Sequence, residues 1–229
     1  MVQKSNVAKC SSYSFAEEVA NSITHGVAAL LSIAALVVMI WYAVTHTGQT
    51  SAVVSAAVFG SSMVILYTIS TLYHAVPRGK AKEILQIFDH GAIYLMIAGS
   101  YTPFCLVSLN GVTGWVLCSV VWAIALFGML FQPLLMKRAD WLNCILYLLL
   151  GWAVVVVIKP LIAVLPTGGL WLLVAGGIVY SVGVVFYLWE KIPFNHAIWH
   201  VFVLAGTLLQ FLSVILYVLP SANTIMPVL

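Results

Sequence analysis

The sequence predicts an all-α integral membrane protein, a bundle of seven transmembrane helices, and three observations carry that prediction. Of 229 residues, 63% are apolar and 7% charged, with a mean hydropathy of +1.12; soluble domains carry about 25% charged residues. The apolar residues fall into seven runs, each near the roughly 20 residues that carry a helix across the hydrocarbon core. The Lys and Arg residues cluster in alternate breaks between those runs.

Residues 1–23 form a tail that lacks the apolar stretch of a signal peptide. Within it Ser14 and Glu17 make a capping box, and Phe15, Val19 and Ile23 recur every four residues. That pattern predicts a short amphipathic helix lying in the membrane interface. The transmembrane domain follows as 24–219. Its first run, 24–45, ends in the turn-like THTGQT, and the second covers 52–75. The third, 86–109, contains Pro103, which predicts a kink of the kind membrane helices tolerate, and it closes at SLNGVTG. Runs four and five are 113–135 and 141–159; after VLPTGG come the sixth, 168–189, and the seventh, 196–219, with 220–229 left as a short external tail.

Orientation follows from charge. With the N-terminus inside, the cytoplasmic segments hold Lys4, Lys9, Arg78, Lys80, Lys82, Lys137, Arg138 and Lys191, eight of the nine basic residues, and only Lys159 falls outside. This is the asymmetry of the positive-inside rule, so the N-terminus is predicted cytoplasmic and the C-terminus external. No basic patch is interleaved with aromatic residues, which excludes nucleic acid as a partner. Cys10, Cys105, Cys118 and Cys144 are scattered with no CxxC pair, and Cys105 and Cys118 read as small lipid-side or core residues rather than part of a disulfide or metal set.

Ionisable groups inside spans are expensive, about 2.5–3.5 kcal/mol for an Asp at a helix centre. Ser70 and His74 form an i,i+4 pair at the cytoplasmic end of the second run, Asp89 and His90 open the third, and His196 and His200 form a second i,i+4 pair opening the seventh. At 1.5 Å per residue from the adjoining loop charges, His74, Asp89, His196 and His200 lie roughly 6, 9, 7 and 13 Å deep. Three helices thus bring three imidazoles and a carboxylate to one shallow layer, which by ligand type is a zinc site. The HxxxH spacing resembles that of HExxH zinc helices but lacks their Glu, so a general base must come from another helix. Asp89 either completes the metal shell or holds a water bound to the ion, and Ser70 can hydrogen-bond that water or a developing oxyanion. The competing reading is mutual hydrogen bonding between helices. His90, rotated about 100° from Asp89, reads as structural; His46 reads as a solvated loop residue. Glu18, Asn21 and His25 share one helical face leading into the first span, and they read as a polar network locking the amphipathic helix over the site, or as a plain interfacial face.

Together, ExxNxxxH (Glu18, Asn21, His25), SxxxH (Ser70, His74), Asp89 and HxxxH (His196, His200) resemble the hemolysin III family. That family is the bacterial branch of the progestin and adipoQ receptor (PAQR) proteins, which include the adiponectin receptors, within the CREST group of membrane hydrolases. The resemblance covers nearly the whole chain without departure at the motif positions. It implies a seven-helix bundle in a bacterial plasma (inner) membrane, with zinc held by His74, His196 and His200. It also implies an Asp89 that meets zinc through water and a supporting Ser70. The expected function is a zinc-dependent hydrolase of a lipid amide or ester; eukaryotic relatives are linked to ceramide hydrolysis. The alternatives are a membrane-state sensor with structural zinc, or a pore-forming haemolysin, which fixed apolar spans disfavour. A membrane lipid is the implied partner, and no protein partner is.

Overall fold

Residues 13–135 and 140–223 are described in a computed structural model of the chain. Lys4, Lys9, Cys10, Lys137, Arg138 and residues 224–229 lie outside these. Among the described residues the chain is helical throughout, with no strand. Seven helices are long and apolar enough to cross a membrane: α1 Phe15–Thr47, α2 Thr50–Ala75, α3 Lys80–Leu109, α4 Gly111–Leu135, α5 Trp141–Val164, α6 Thr167–Leu188 and α7 Asn195–Ser221. Helix α1 packs on α2 and α7, α2 on α3, α3 on α4, and α6 on α7, while α5 is held more lightly.

The capping box at the start of α1 is present: Ser14 N donates to Glu17 Oε2 at 2.8 Å and Glu17 N to Ser14 Oγ at 3.3 Å. The stripe of Phe15, Val19 and Ile23 is exposed, as an interfacial face should be. The short separate helix expected within residues 1–23 is instead the first turns of a continuous rod that runs on through the span. Nothing in THGVAA breaks it; Gly26 only lets α1 approach Thr71 of α2. The rod therefore carries Glu18, Asn21 and His25 as one rigid body with the first span.

Four of the seven helices depart from regular geometry: α1 over Ala43–Thr47 and α7 over Val214–Val218 widen to i→i+5 turns, and α3 and α5 change beside a proline. After Pro103, α3 changes to an i→i+5 turn over Phe104–Leu109. Helix α5 runs to Val164, five residues past the expected end at 159, because it tolerates Pro160 by tightening to 3-10 geometry over Trp152–Val157. The backbone groups freed there are met by one side chain: Tyr101 Oη lies 3.0 Å from Leu150 O and 2.7 Å from Gly151 O, and accepts from Val154 N at 2.8 Å. In lipid such groups have no water to turn to, so a hydroxyl from α3 takes its place. Lys159 is exposed on α5, and the thiols of Cys105 and Cys118 are buried within a core between α3, α4 and α5.

Candidate metal centre

His74 sits in the last turn of α2, which ends at Ala75 before an extended Val76. His196 and His200 lie in the first turns of α7. That helix starts sharply because Phe194 takes a left-handed backbone (φ 58°), with its N–H donating to Glu17 Oε1 at 3.3 Å. Asn195 Nδ2 donates to Tyr187 O at 2.9 Å and fastens the same turn to the end of α6.

The three imidazoles converge. Ring centroids are 5.0 Å apart for His74 and His196, 5.1 Å for His74 and His200, and 4.5 Å for His196 and His200. One ligand atom from each lies within 4.8 Å of the others, and all three side chains are buried. Asp89 is not a member of that cluster; buried at 7% exposure, it lies 3.8 Å from His90 Nδ1.

Each Nδ1 is engaged from α1 or its N-terminal approach. His74 Nδ1 donates to Glu18 Oε2 at 2.7 Å, with the side-chain amide of Asn21 3.4 Å away. His200 Nδ1 donates to Asn21 O at 3.2 Å, and Thr24 Oγ1 is equally close. His196 Nδ1 meets Tyr13 Oη at 2.9 Å. A carboxylate and a backbone carbonyl can only accept, so in the neutral imidazole the proton is placed on Nδ1 of His74 and His200 and the Nε2 lone pair is left for the cluster. His74 Nε2 and His196 Nε2 are buried with no hydrogen-bond partner among the described residues. Buried orphan nitrogens are costly unless something ligates them. Three imidazoles whose far nitrogens are held by a carboxylate, a backbone carbonyl and a hydroxyl fit zinc by donor type.

Ser70, Asp89 and His25 line a cavity of about 150 Å³ together with His196 and His200, and it continues past Met96 and Tyr180 to Gln210 through mostly apolar walls. His25 stacks on His200 (3.5 Å, 12°) and meets Tyr67 edge-on, and neither of its ring nitrogens has a partner among the described residues. All the motif residues therefore lie at the triad or along this cavity: Glu18, Asn21 and His25 touch the imidazoles, and Ser70 and Asp89 face the chamber beside them. His90 makes a back-bond within its helix, Nδ1 to Gln86 O at 2.9 Å, as expected, and His46 is exposed but lies in the last turn of α1 and not in a loop.

Sequence reasoning missed Tyr13, Thr24 and Lys82. Lys82 reads in the sequence as a loop charge, yet its side chain is buried and ion-paired to Glu18. Only Thr24, three residues after Asn21 and so beside it on the helix surface, carried any local signal.

Comparison with known proteins shows the family of the chain. The description of haemolysin-III-related proteins matches residues 13–211. The chain is 49% identical to Hemolysin-3 of Bacillus cereus over 207 residues, covering 90% of this chain and 94% of that protein. It is 48% identical to the Hemolysin-3 homolog of Bacillus subtilis (strain 168) over 205 residues, covering 90% and 96%. The human monocyte to macrophage differentiation factor is similar at 28% identity over 179 residues, covering 76% and 74%.

Proposed function

Because the chain belongs to the haemolysin-III-related family of multi-pass membrane proteins, we propose that it is a zinc-dependent hydrolase of a lipid amide or ester. We place it in a bacterial plasma membrane with the N-terminus and the metal centre on the cytoplasmic side. The observation that carries the reading is the set of three buried histidines whose Nδ1 atoms are held from α1, beside an apolar cavity that also presents Ser70 and Asp89.

His74, His196 and His200 would hold the ion. Zinc there supplies a Lewis acid that polarises a carbonyl and makes water a nucleophile near neutral pH. The chain's own residues supply the rest. Asp89, which lines the chamber, takes the proton from the attacking water at an Oδ atom and returns it to the leaving amine nitrogen or alcohol oxygen as the acyl bond breaks. The Ser70 hydroxyl donates a hydrogen bond to the oxygen on which negative charge develops. The apolar walls seat a hydrocarbon chain and keep bulk water from the reacting carbonyl.

A second reading has its own support: the triad joins α2 to α7, and a metal that only stapled these helices would serve a sensor of membrane state. Metal content and turnover separate the two. Protein purified in mild detergent is expected to carry about one zinc per chain, and His196→Ala/His200→Ala to carry none. Asp89→Asn is expected to keep zinc and lose lipid amide or ester hydrolysis. No zinc in the unaltered protein refutes the site; zinc with no hydrolysis of any lipid amide or ester leaves the staple.

A further inference from the structure

Lys82 belongs by sequence to a basic loop, yet it is 2% exposed. An ammonium has three protons to donate. Around this one stand three acceptors: Glu18 Oε1 at 2.9 Å, Tyr73 O at 2.8 Å and Val76 O at 3.2 Å. The ring of Tyr73 faces it, 4.8 Å from Nζ to the centroid. A cation in the first turn of α3 sits at the pole where the helix dipole disfavours it. Folded back, the same cation reaches the last carbonyls of α2, the pole that favours it. That last turn of α2 is the one bearing His74. Glu18 therefore divides its carboxylate, one oxygen taking the Lys82 ammonium and the other the Nδ1–H of His74 at 2.7 Å.

We propose that Lys82 is a positioning residue for the metal centre, acting on His74 through Glu18. The inference rests on the metal reading above. Glu18 borders an open groove lined also by Tyr13, Phe15 and Arg78, and its side chain is 17% exposed, so its own surroundings do not confine it. The Lys82 ammonium fixes it by a charged contact while capping the turn that carries His74. Removing that contact frees the carboxylate to rotate into the groove and releases the His74 ring from the orientation in which Nε2 joins the triad. A buried charge at this depth is kept where its partners are complete, as they are here.

The test is a double-mutant cycle in zinc affinity, measured by competition with a chelator of known affinity on purified protein in detergent. The unaltered chain, Lys82→Met, Glu18→Gln and the double variant are compared, with the thermal stability of each metal-stripped protein recorded alongside. Partners of metal-ligating histidines typically contribute roughly 10- to 100-fold to affinity. Lys82→Met is expected to weaken zinc binding by an amount in that range, while adding Lys82→Met to Glu18→Gln costs less than about threefold further, because the route through Glu18 is already cut. Lys82→Arg, which keeps the charge, is expected to restore most of the affinity. If Lys82→Met does not accumulate, Lys82→Gln keeps amide donors for the α2 carbonyls without the charge and takes its place, with the same expectation. Equal losses in both backgrounds, or zinc affinity unchanged by Lys82→Met, would overturn the inference while leaving the metal site standing. Absence of zinc from the unaltered protein would instead remove the metal reading and this inference together.

Discussion

Tyr13→Phe isolates one atom at the metal centre. Tyr13 Oη is 2.9 Å from His196 Nδ1, and the two rings lie 4.9 Å apart at 41°. Phenylalanine keeps that ring contact and deletes only the hydroxyl. The bond is between neutral groups at a half-buried position, so its net worth is about 0.5–1.5 kcal/mol. At 1.4 kcal/mol per factor of ten, zinc affinity should fall about 2- to 12-fold. The loss should be smaller than that for Glu18→Gln, because the Glu18 bond to His74 involves a carboxylate and is stronger. Chelator competition gives the affinity, and thermal unfolding of the metal-stripped protein checks that the bundle is intact. An affinity unchanged by Tyr13→Phe, or a loss as large as that of Glu18→Gln, would refute the reasoning that Nδ1 partners grade the ligands.

Three further outcomes follow from the same geometry. Zinc at a hundredfold excess over its dissociation constant should stabilise the folded protein by about 2.7 kcal/mol, seen as a higher unfolding temperature than in chelator, and His200→Ala should erase that difference. Tyr101→Phe strands the carbonyls of Leu150 and Gly151 and the N–H of Val154 inside the bundle; a cost of about 1–3 kcal/mol is expected, with faster hydrogen exchange confined to α5. Gly60→Ala puts a methyl 2.4 Å from Leu36 Cδ1 and 2.9 Å from Leu36 Cα, so α1 and α2 must part; about 1–3 kcal/mol of destabilisation is expected in thermal unfolding. Unchanged melting of either variant would contradict the packing described.

Much of this architecture was legible in the sequence because lipid makes simple demands. Apolar length marks a span, and polar residues within a span must have a reason. That logic located all seven helices and set His74, Asp89, His196 and His200 in one shallow layer, while the set of three histidines came with the family resemblance. It failed where a residue's meaning depends on a partner far along the chain. Lys82 looks like any loop lysine until α1 is packed beside it and Glu18 comes within 2.9 Å. Tyr13 precedes the first helix in a stretch with no periodicity, and its partner lies 183 residues away. The continuity of α1 was misjudged because an amphipathic stripe and an apolar span differ in pattern but not in backbone, and no proline or turn separates them. The extension of α5 past Pro160 depended on Tyr101, which no local rule connects to it. Asp89, which the sequence leaves either completing the metal shell or holding a water, lines the adjoining chamber outside the histidine cluster.

The order in which the ligands are made has a consequence for biogenesis. His74 leaves the ribosome with α2, but its companions arrive only with α7, after four intervening helices have been synthesised. A nascent chain holding six inserted helices offers a single imidazole from the triad and has no means of retaining an ion. On the metal reading proposed above, loading would wait for α7. A product stopped before α7, however well inserted, would not assemble the triad.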